Sequence, residues 1–575
     1  MHKRLLFLRV ILSIGFLIVI FRLILVMFVE HEAYFSRAKI QQITKEEITP
    51  KRGNIYDRKG RELAISLEKE SLYVDPYLLK SSSSVEYLKK YVKVDSQLIE
   101  QLSDKNRRFL WIERKIDPRL SEQIKSLKIE GIGFITEGAR YYPKGFLASH
   151  ILGFVNIDEV GIEGLERQYD NYLKSEKASK IVLRDARGKK LSDGNLNETK
   201  GNDLFLTLDE GLQYIVEKHL DNAMKKWQAS SATAIMMDPF TGEILALANR
   251  PTYDPNNLKS IKNLAIIRNR AITDLYEPGS TFKIVAATAA LEEAIVTPNT
   301  KFDCSQGYIE VWGKKIKDAH KHGVLTFEEV IQKSSNVGTI KVAMMLGKEK
   351  LYNYIKKFGF GEKTGIDLPG EIAGYVKPPQ RWSGTSIGAI PIGQEVGVTA
   401  LQILRAYSAI ANGGYLVKPF IVSEIRSSKG DILYKSYVQR ERILSEKTAK
   451  TVSDILKKVT EEGGTATTAK LDGNYVAGKT GTAQKYDPKT KTYSKDKFVS
   501  SFVGFIPADN PRIALIVVIH DPKGAHYGGV VAAPVFKEIS NEALSYLQVP
   551  RDDAKEKGLV VMDYYEKSKK AVSVR

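Results

Sequence analysis

Glu277-Pro278-Gly279-Ser280-Thr281-Phe282-Lys283 stands immediately before an Ala-rich apolar run, Ile284–Leu291. Proline and glycine just ahead of such a run are helix-start signals, so a helix is expected to begin at about Ser280. Ser280 and Lys283 then lie three apart on one helix face. Burial would lower the lysine's pKa and make it a usable base. First-turn N–H groups and the helix dipole favour negative charge beside the serine, as an oxyanion requires. Ser-x-x-Lys alone is common, and it reads equally as a capping serine beside a solvated lysine.

Working outward, Ser334 lies 54 residues beyond Ser280 in Lys333-Ser334-Ser335-Asn336-Val337-Gly338, after the amphipathic stretch Leu325–Gln332. A buried Ser334 hydroxyl could pass a proton between lysine and leaving group, and Asn336 could hold both the lysine and a substrate amide. A polar turn is the plainer alternative. The third element is Ala477-Gly478-Lys479-Thr480-Gly481-Thr482-Ala483-Gln484. Its first half completes a literal G-x-x-x-x-G-K-[ST] pattern over Gly473–Thr480. A phosphate loop follows a buried strand and opens a helix, whereas Glu461–Gly473 is polar and Gly481–Pro488 has no helical pattern. The better reading is an edge strand along a cleft. Lys479 would supply fixed positive charge, Thr480 and Thr482 hydroxyl donors, and Gly481 room for substrate. Such a group suits a carboxylate.

Around these motifs, Leu204–Asp209 reads as a strand ending at a helix cap, followed by a helix over Gln213–Trp227. Ala232–Asp238 and Glu243–Asn249 flank Pro239-Phe240-Thr241-Gly242, a hairpin signal. Further strands fit Tyr475–Ala477, Ser500–Phe505 and Ile513–Ile519, and a closing helix fits Pro534–Leu547. Strands at both ends with helices between them indicate a mixed domain rather than alternating βαβ units. Upstream, alternating apolar positions around Asp57-Arg58-Lys59-Gly60 read as another hairpin, with Asp57-Arg58 as a turn and local ion pair. Charged residues at helical spacing over Ser81–Lys128 suggest small surface helices. Arg140-Tyr141-Tyr142-Pro143 through Gly161-Ile162-Glu163-Gly164 carries turn signals.

At the start of the chain, Leu5–Val29 is almost wholly apolar, 25 residues broken by Arg9 and Arg22. That is about 37 Å of helix, enough to cross a bilayer with tilt. Arg22 would cost ~2.5–3.5 kcal/mol at mid-helix and less if it snorkels. A cleaved leader would need a small-residue site, but Glu30-His31-Glu32 follows; an amphipathic pattern, as in a buried soluble helix, is also missing. An uncleaved anchor remains, with Lys3, Arg4 and Arg9 on the cytoplasmic side and the rest of the chain outside.

The three motifs, in their order and spacing, resemble the Ser-x-x-Lys, Ser-x-Asn, Lys-Thr-Gly set of penicillin-recognising acyl-transferases. The anchor, the Arg52-Gly53-x-Ile55-x-Asp57-Arg58 hairpin and Gly161-Ile162-Glu163-Gly164-Leu165-Glu166 resemble a class B penicillin-binding protein. Arg140-Tyr141-Tyr142-Pro143 with His150-Ile151-Leu152-Gly153-Phe154 is most similar to the division-specific branch. The resemblance implies an α+β fold in four parts. Residues 1–30 form the cytoplasmic N-terminus and single transmembrane helix. Residues 31–200 form an elongated, β-rich, non-catalytic pedestal of the dimerisation type. Residues 201–550 form the transpeptidase domain, a mainly antiparallel sheet flanked by helices, and 551–575 a charged tail.

It further implies that Ser280 attacks the penultimate D-Ala carbonyl of a peptidoglycan stem peptide, with Lys283 as base, Ser334 as relay and Asn336 positioning the donor. Lys479, Thr480, Gly481 and Thr482 would bind the terminal carboxylate, and the backbone N–H groups of Ser280 and Thr482 would hold the oxyanion. β-Lactams would trap Ser280. No metal or cofactor is required. Expected partners are a polytopic membrane glycosyltransferase of the FtsW/SEDS type and other division proteins, with no nucleic acid. Rivals are an elongation-specific class B transpeptidase, a catalytically silent scaffold and a β-lactam sensor.

Composition is compatible with this reading without selecting it. The 575 residues suffice for two or three domains, and 43% hydrophobic with 27% charged excludes a disordered or fibrous chain. A net charge of +19 favours anionic lipid, wall polymer or nucleic acid. One cysteine, Cys304, excludes an intrachain disulfide and a thiolate zinc cluster, and reads as an inert loop thiol. His320 and His322 have H-x-H spacing beside Asp318 but show no third ligand nearby, so a polar loop is expected there. Gly359-Phe360-Gly361 lacks the strand–helix frame of a dinucleotide site.

Overall fold

The computed structural model describes residues 2–48, 51–79, 82–104, 106–174, 178–184, 190–193, 200–487, 490 and 492–552. The expected tail, 551–575, lies outside them from residue 553 on. The described chain divides into two compact units: one of Met1–Arg52, Leu67–Ala139 and Lys174–Gly201, the other of Gly53–Ser66, Arg140–Leu173 and Asn202 onward.

In the first unit, helix His2–Ile24 continues through a π-helical segment, Leu25–Val29, giving 28 residues long and apolar enough to cross a membrane. Arg22 does not stand alone: its Nη1 donates to Glu30 Oε1 at 3.1 Å, so the span's inner cation has a carboxylate at its end. Further along, Ile43–Ile48 pairs antiparallel with Ala178–Arg184, which pairs with Lys190–Asp193. The small helices expected over 81–128 are Ser82–Lys89, Ser96–Ser103 and Pro118–Ser126. The last begins where Asp117 accepts from Arg119 N at 2.9 Å with Pro118 at the first position. Leu72, Val74, Leu88, Leu102 and Ile124 form a core of this unit's own.

The second unit is built on five strands: β1 (Ser231–Met237), β2 (Ile244–Arg250), β3 (Ala477–Asp487), β4 (Thr492–Ile506) and β5 (Ile513–His520). Their order is β2-β1-β5-β4-β3, antiparallel throughout, so chain ends far apart in sequence meet at β1–β5. Every residue of β1 and β2 is buried, and β5 is buried except at His520, so both faces are covered. That explains their unbroken apolar runs. Helices Glu210–Trp227, Ala400–Ala411 and Ala533–Tyr546 pack on the sheet. Large side chains such as Phe502, Phe505 and Phe536 are fully buried, each contributing about 1.5–3 kcal/mol. The Glu210 helix starts one turn before the expected Gln213, because Asp209 caps it through Gly211 N at 2.8 Å. The strand expected at Tyr475–Ala477 instead begins at Ala477 and runs through the Lys-Thr-Gly triplet, which makes β3 the sheet's edge.

The upstream motifs also find their reason here. Ile55–Tyr56 pairs antiparallel with the start of Glu62–Val74, and Asp57, fully buried, accepts from Lys59 N, Arg61 N and Arg61 Nε at 2.7–2.9 Å. Arg58 meets Glu243 at 3.4 Å, so the local ion pair joins Asp57 to Arg61 rather than to its neighbour. The buried Arg140 guanidinium binds Glu166 Oε1 at 2.6 Å and the Gly53 carbonyl at 2.7 Å, while Tyr142 Oη donates to the same carboxylate at 3.3 Å. Three separate sequence motifs therefore close one network. Arg140→Met should destabilise the protein by about 3–5 kcal/mol, since it strands a buried carboxylate, and Arg140→Lys should not restore it. Urea denaturation of the two variants measures both.

Candidate active site

The helix at Ser280 begins as a 3₁₀ turn, Gly279–Phe282, and becomes α-helical from Lys283 to Glu292. Ser280 is therefore on a tighter turn than an α-helix would give. This turn is half-buried at Ser280 and is fixed from several sides. Tyr407 Oη donates to Thr281 O at 2.9 Å, Thr281 Oγ1 to Pro278 O at 2.9 Å, and Gly279 N to Gly393 O at 3.2 Å. Glu277 Oε1 accepts from Glu395 N at 2.9 Å and Tyr493 Oη at 3.1 Å.

Strand β3 lies close against this turn. A Cβ on Gly481 would come within 2.9 Å of Pro278 O and of Thr281 Cγ2, and 2.3 Å of Ser501 Oγ. Gly279 has φ +56°, and a Cβ there would lie 2.9 Å from Thr482 O. Beside the expected room for substrate, Gly481 thus has a packing reason: it admits the backbone that carries Ser280.

Behind the turn, the Lys283 side chain is fully buried, and its Nζ donates to Ser334 O at 2.6 Å and Ser334 Oγ at 3.2 Å. Burial pushes its pKa down to about 7, against a smaller upward pull from Asp318. Ser334 is half-buried rather than buried and has φ +59°. This left-handed conformation costs on the order of 1–2 kcal/mol and turns both its carbonyl and its hydroxyl toward one amine. The helix Asn336–Leu346 follows, with Ser335 as its cap. Asn336 Nδ2 donates to Lys317 O at 2.8 Å, so its amide nitrogen is engaged with the neighbouring strand.

Lys479 is also fully buried, and among the described residues its Nζ donates only to Thr480 O and Oγ1, both at 3.4 Å. Burial first, and the Lys283 amine second, hold its pKa well below the ordinary lysine value. Both effects disfavour the charged form of Lys479 in this enclosure. Thr480 Oγ1 shares a hydrogen bond with Thr465 at 3.0 Å, and Thr482 Oγ1 accepts from Gly528 N at 2.9 Å, which leaves the Thr482 proton available to donate. Farther along β3, a cavity of about 490 Å³ opens beside Ala483 and Lys485, bounded by Glu277 and His520.

Asp318 and Thr465 are site residues that sequence reasoning did not assign. Asp318 accepts from Val337 N at 3.0 Å, Ser335 Oγ at 2.8 Å and Asn336 N. Its place beside two histidines drew attention to metals instead; among the described residues no group of three or more His, Cys, Asp or Glu is placed to hold one. Cys304 is buried, and burial raises its thiol pKa, as an inert thiol requires.

Residues 232–541 match the penicillin-binding protein transpeptidase domain, and residues 47–206 the penicillin-binding protein dimerisation domain. The chain belongs to the class B penicillin-binding proteins. Among its relatives of this family, stage V sporulation protein D of Bacillus subtilis is 37% identical, covering 97% of this chain and 88% of the relative. Peptidoglycan D,D-transpeptidase FtsI of Escherichia coli is 34% identical, with 89% and 86% covered. The crystal structure of penicillin-binding protein 3 from Mycobacterium tuberculosis, complexed with aztreonam, is 30% identical, covers 88% of this chain and 98% of its own, and superposes with a TM-score of 0.70. The fold expected from the motifs, a dimerisation-type domain with a mainly antiparallel transpeptidase domain, is the fold found.

The contact at Gly481 gives a direct test. Gly481→Ala should slow acylation of Ser280 by a penicillin by about 10²-fold or more, because displacing the turn by even 1 Å misaligns the reacting groups. Stopped-flow acylation of protein that still unfolds cooperatively would measure it.

Proposed function

We propose that this protein is a membrane-anchored peptidoglycan D,D-transpeptidase in which Ser280 is the nucleophile and Lys283 the neutral base. The observation that carries this reading is the dry Lys283 amine, donating to Ser334 behind the Ser280 turn, with the Lys479–Thr482 segment of the edge strand closing the other side. Ser280 Oγ gives its proton to Lys283 Nζ as it bonds to the penultimate D-Ala carbonyl carbon. The developing oxyanion is held by the backbone N–H groups of Ser280 and Thr482, a term of about 10²–10³ per donor. Collapse breaks the peptide bond, and Ser334 passes the proton from Lys283 to the departing D-Ala nitrogen. Thr480, Thr482 and Lys479, charged in response, take the terminal carboxylate. A primary amine of a second stem peptide then attacks the ester, loses its proton through the same relay and restores Ser280. Asn336 orients the donor chain.

The N-terminal span holds the protein in the inner membrane with its N-terminus in the cytoplasm and the catalytic domain outside, as the early basic residues favour. Residues 31–200 act as the non-catalytic domain and 201–550 as the transpeptidase. A polytopic glycosyltransferase in the same membrane supplies the glycan strand, and septal wall synthesis is the setting. The similarity to a stage V sporulation protein favours a second setting, in which the same chemistry serves sporulation. Fluorescence localisation in dividing and in sporulating cells separates the two.

Fluorescent penicillin should label the full chain in detergent, and Ser280→Ala should lose the label while keeping its melting temperature. Labelling retained in Ser280→Ala would remove Ser280 as the nucleophile.

A further inference from the structure

Asp318 is the acid that the proposed chemistry leaves unused, and its surroundings are unusual. It directly follows strand Lys314–Lys317, and while its N–H donates to Gly307 O at 3.0 Å, its carboxylate reaches across to the Ser334–Asn336 motif. Oδ1 accepts from the backbone N–H groups of Asn336 and Val337, and Oδ2 accepts from Ser335 Oγ at 2.8 Å. Ser335 Oγ in turn accepts from Gly338 N at 3.0 Å. The helix Asn336–Leu346 therefore has two caps, the ordinary one from Ser335 and a second carboxylate brought from a separate strand. A carboxylate at a helix N-terminus is favoured by the helix dipole and satisfies N–H groups that otherwise have no partner.

The residue immediately before this doubly capped start is Ser334, held in the left-handed conformation with its carbonyl and hydroxyl on Lys283 Nζ. Such a conformation persists only where the surroundings over-determine it. Asp318 is one of the restraints that do so. Its charge also matters. The charged groups facing Lys283 are Asp318, which favours the ammonium, and Lys479, on which the Lys283 charge bears unfavourably. When Lys283 takes the serine proton, a cation forms where water is excluded.

We propose that Asp318 is a positioning residue for this reaction: it pins the start of the Asn336 helix so that Ser334 meets Lys283, and its negative charge steadies the Lys283 ammonium formed during acylation. The inference rests on Lys283 being the base for Ser280.

The test uses the full chain in detergent and the second-order rate of Ser280 acylation by a penicillin, measured across pH beside the melting temperature. In the wild type this rate should rise with pH through a midpoint at about 7, where Lys283 loses its proton. Asp318→Asn keeps an oxygen for the two N–H groups and removes the charge. It should move the midpoint to lower pH and slow acylation at the plateau about tenfold or more, with little change in melting temperature. Asp318→Ala should show the same acid shift, a larger rate loss and a lower melting temperature. Asp318→Glu retains the charge and should keep the midpoint nearer the wild-type value than Asn does.

An Asn variant with wild-type midpoint and rate would overturn the charge role. Melting temperatures lowered equally in Asn and Ala, with the midpoint unmoved in both, would reduce Asp318 to a structural cap and overturn the proposal. Should Asn fail to fold, a midpoint displaced as far in Glu as in Ala would do the same. Absence of any penicillin adduct on wild-type Ser280 is a different result and contradicts the transpeptidase reading itself.

Discussion

The Lys283 amine is taken wholly out of water without a carboxylate within ion-pair distance among the described residues. Much of the site follows from that one act of desolvation. Lowering a lysine from 10.5 to about 7 corresponds to about 5 kcal/mol of preference for the neutral form. The folded state carries this as a penalty that grows as pH falls from the unfolded value toward about 7 and is complete below it. A protein tolerates such a penalty where the neutral amine has work to do. The surrounding helix, buried from Lys283 through Ala290, supplies the apolar enclosure, and Ser334 supplies acceptors without supplying charge.

The same constraint organises the neighbouring parts. A dry amine can serve Ser280 only if the serine's turn is held close, and that turn is held by direct backbone contact with the edge strand. Glycine at 279 and 481 permits the contact, and Tyr407 fastens the turn from below. A second lysine, Lys479, lies in the same enclosure. Two buried ammonium groups facing one another are disfavoured, so the charge of one lysine bears on the charge of the other. In the proposed function, carboxylate recognition and base activation are then linked through electrostatics rather than assigned to independent residues.

Much of this was legible in the sequence, for identifiable reasons. Helix starts, hairpin turns and unbroken apolar strands are local signals, and the Ser280, Ser334 and Lys479 motifs carry their own context. The edge position of Ala477–Asp487 followed from polar flanks and from the lack of any helical pattern after Gly481. What was not legible depends on contacts between distant segments. Asp318 caps a helix that begins 18 residues later. Gly481 is small because of Pro278, and Arg140 is paired with Glu166 and Gly53. The lowered pKa of Lys479 required knowing that it is buried and that Lys283 stands beside it. Arg22 looked like an isolated defect in an apolar span until Glu30 was found at its side.

The central claim is that Lys283 is a neutral amine near physiological pH, and NMR reads this directly. In protein carrying ¹⁵N-lysine, with the resonance assigned by Lys283→Met, the Lys283 Nζ signal should titrate with a midpoint at about 7. A midpoint near the ordinary lysine value of 10.5 would show the amine to be charged at rest and would contradict the account.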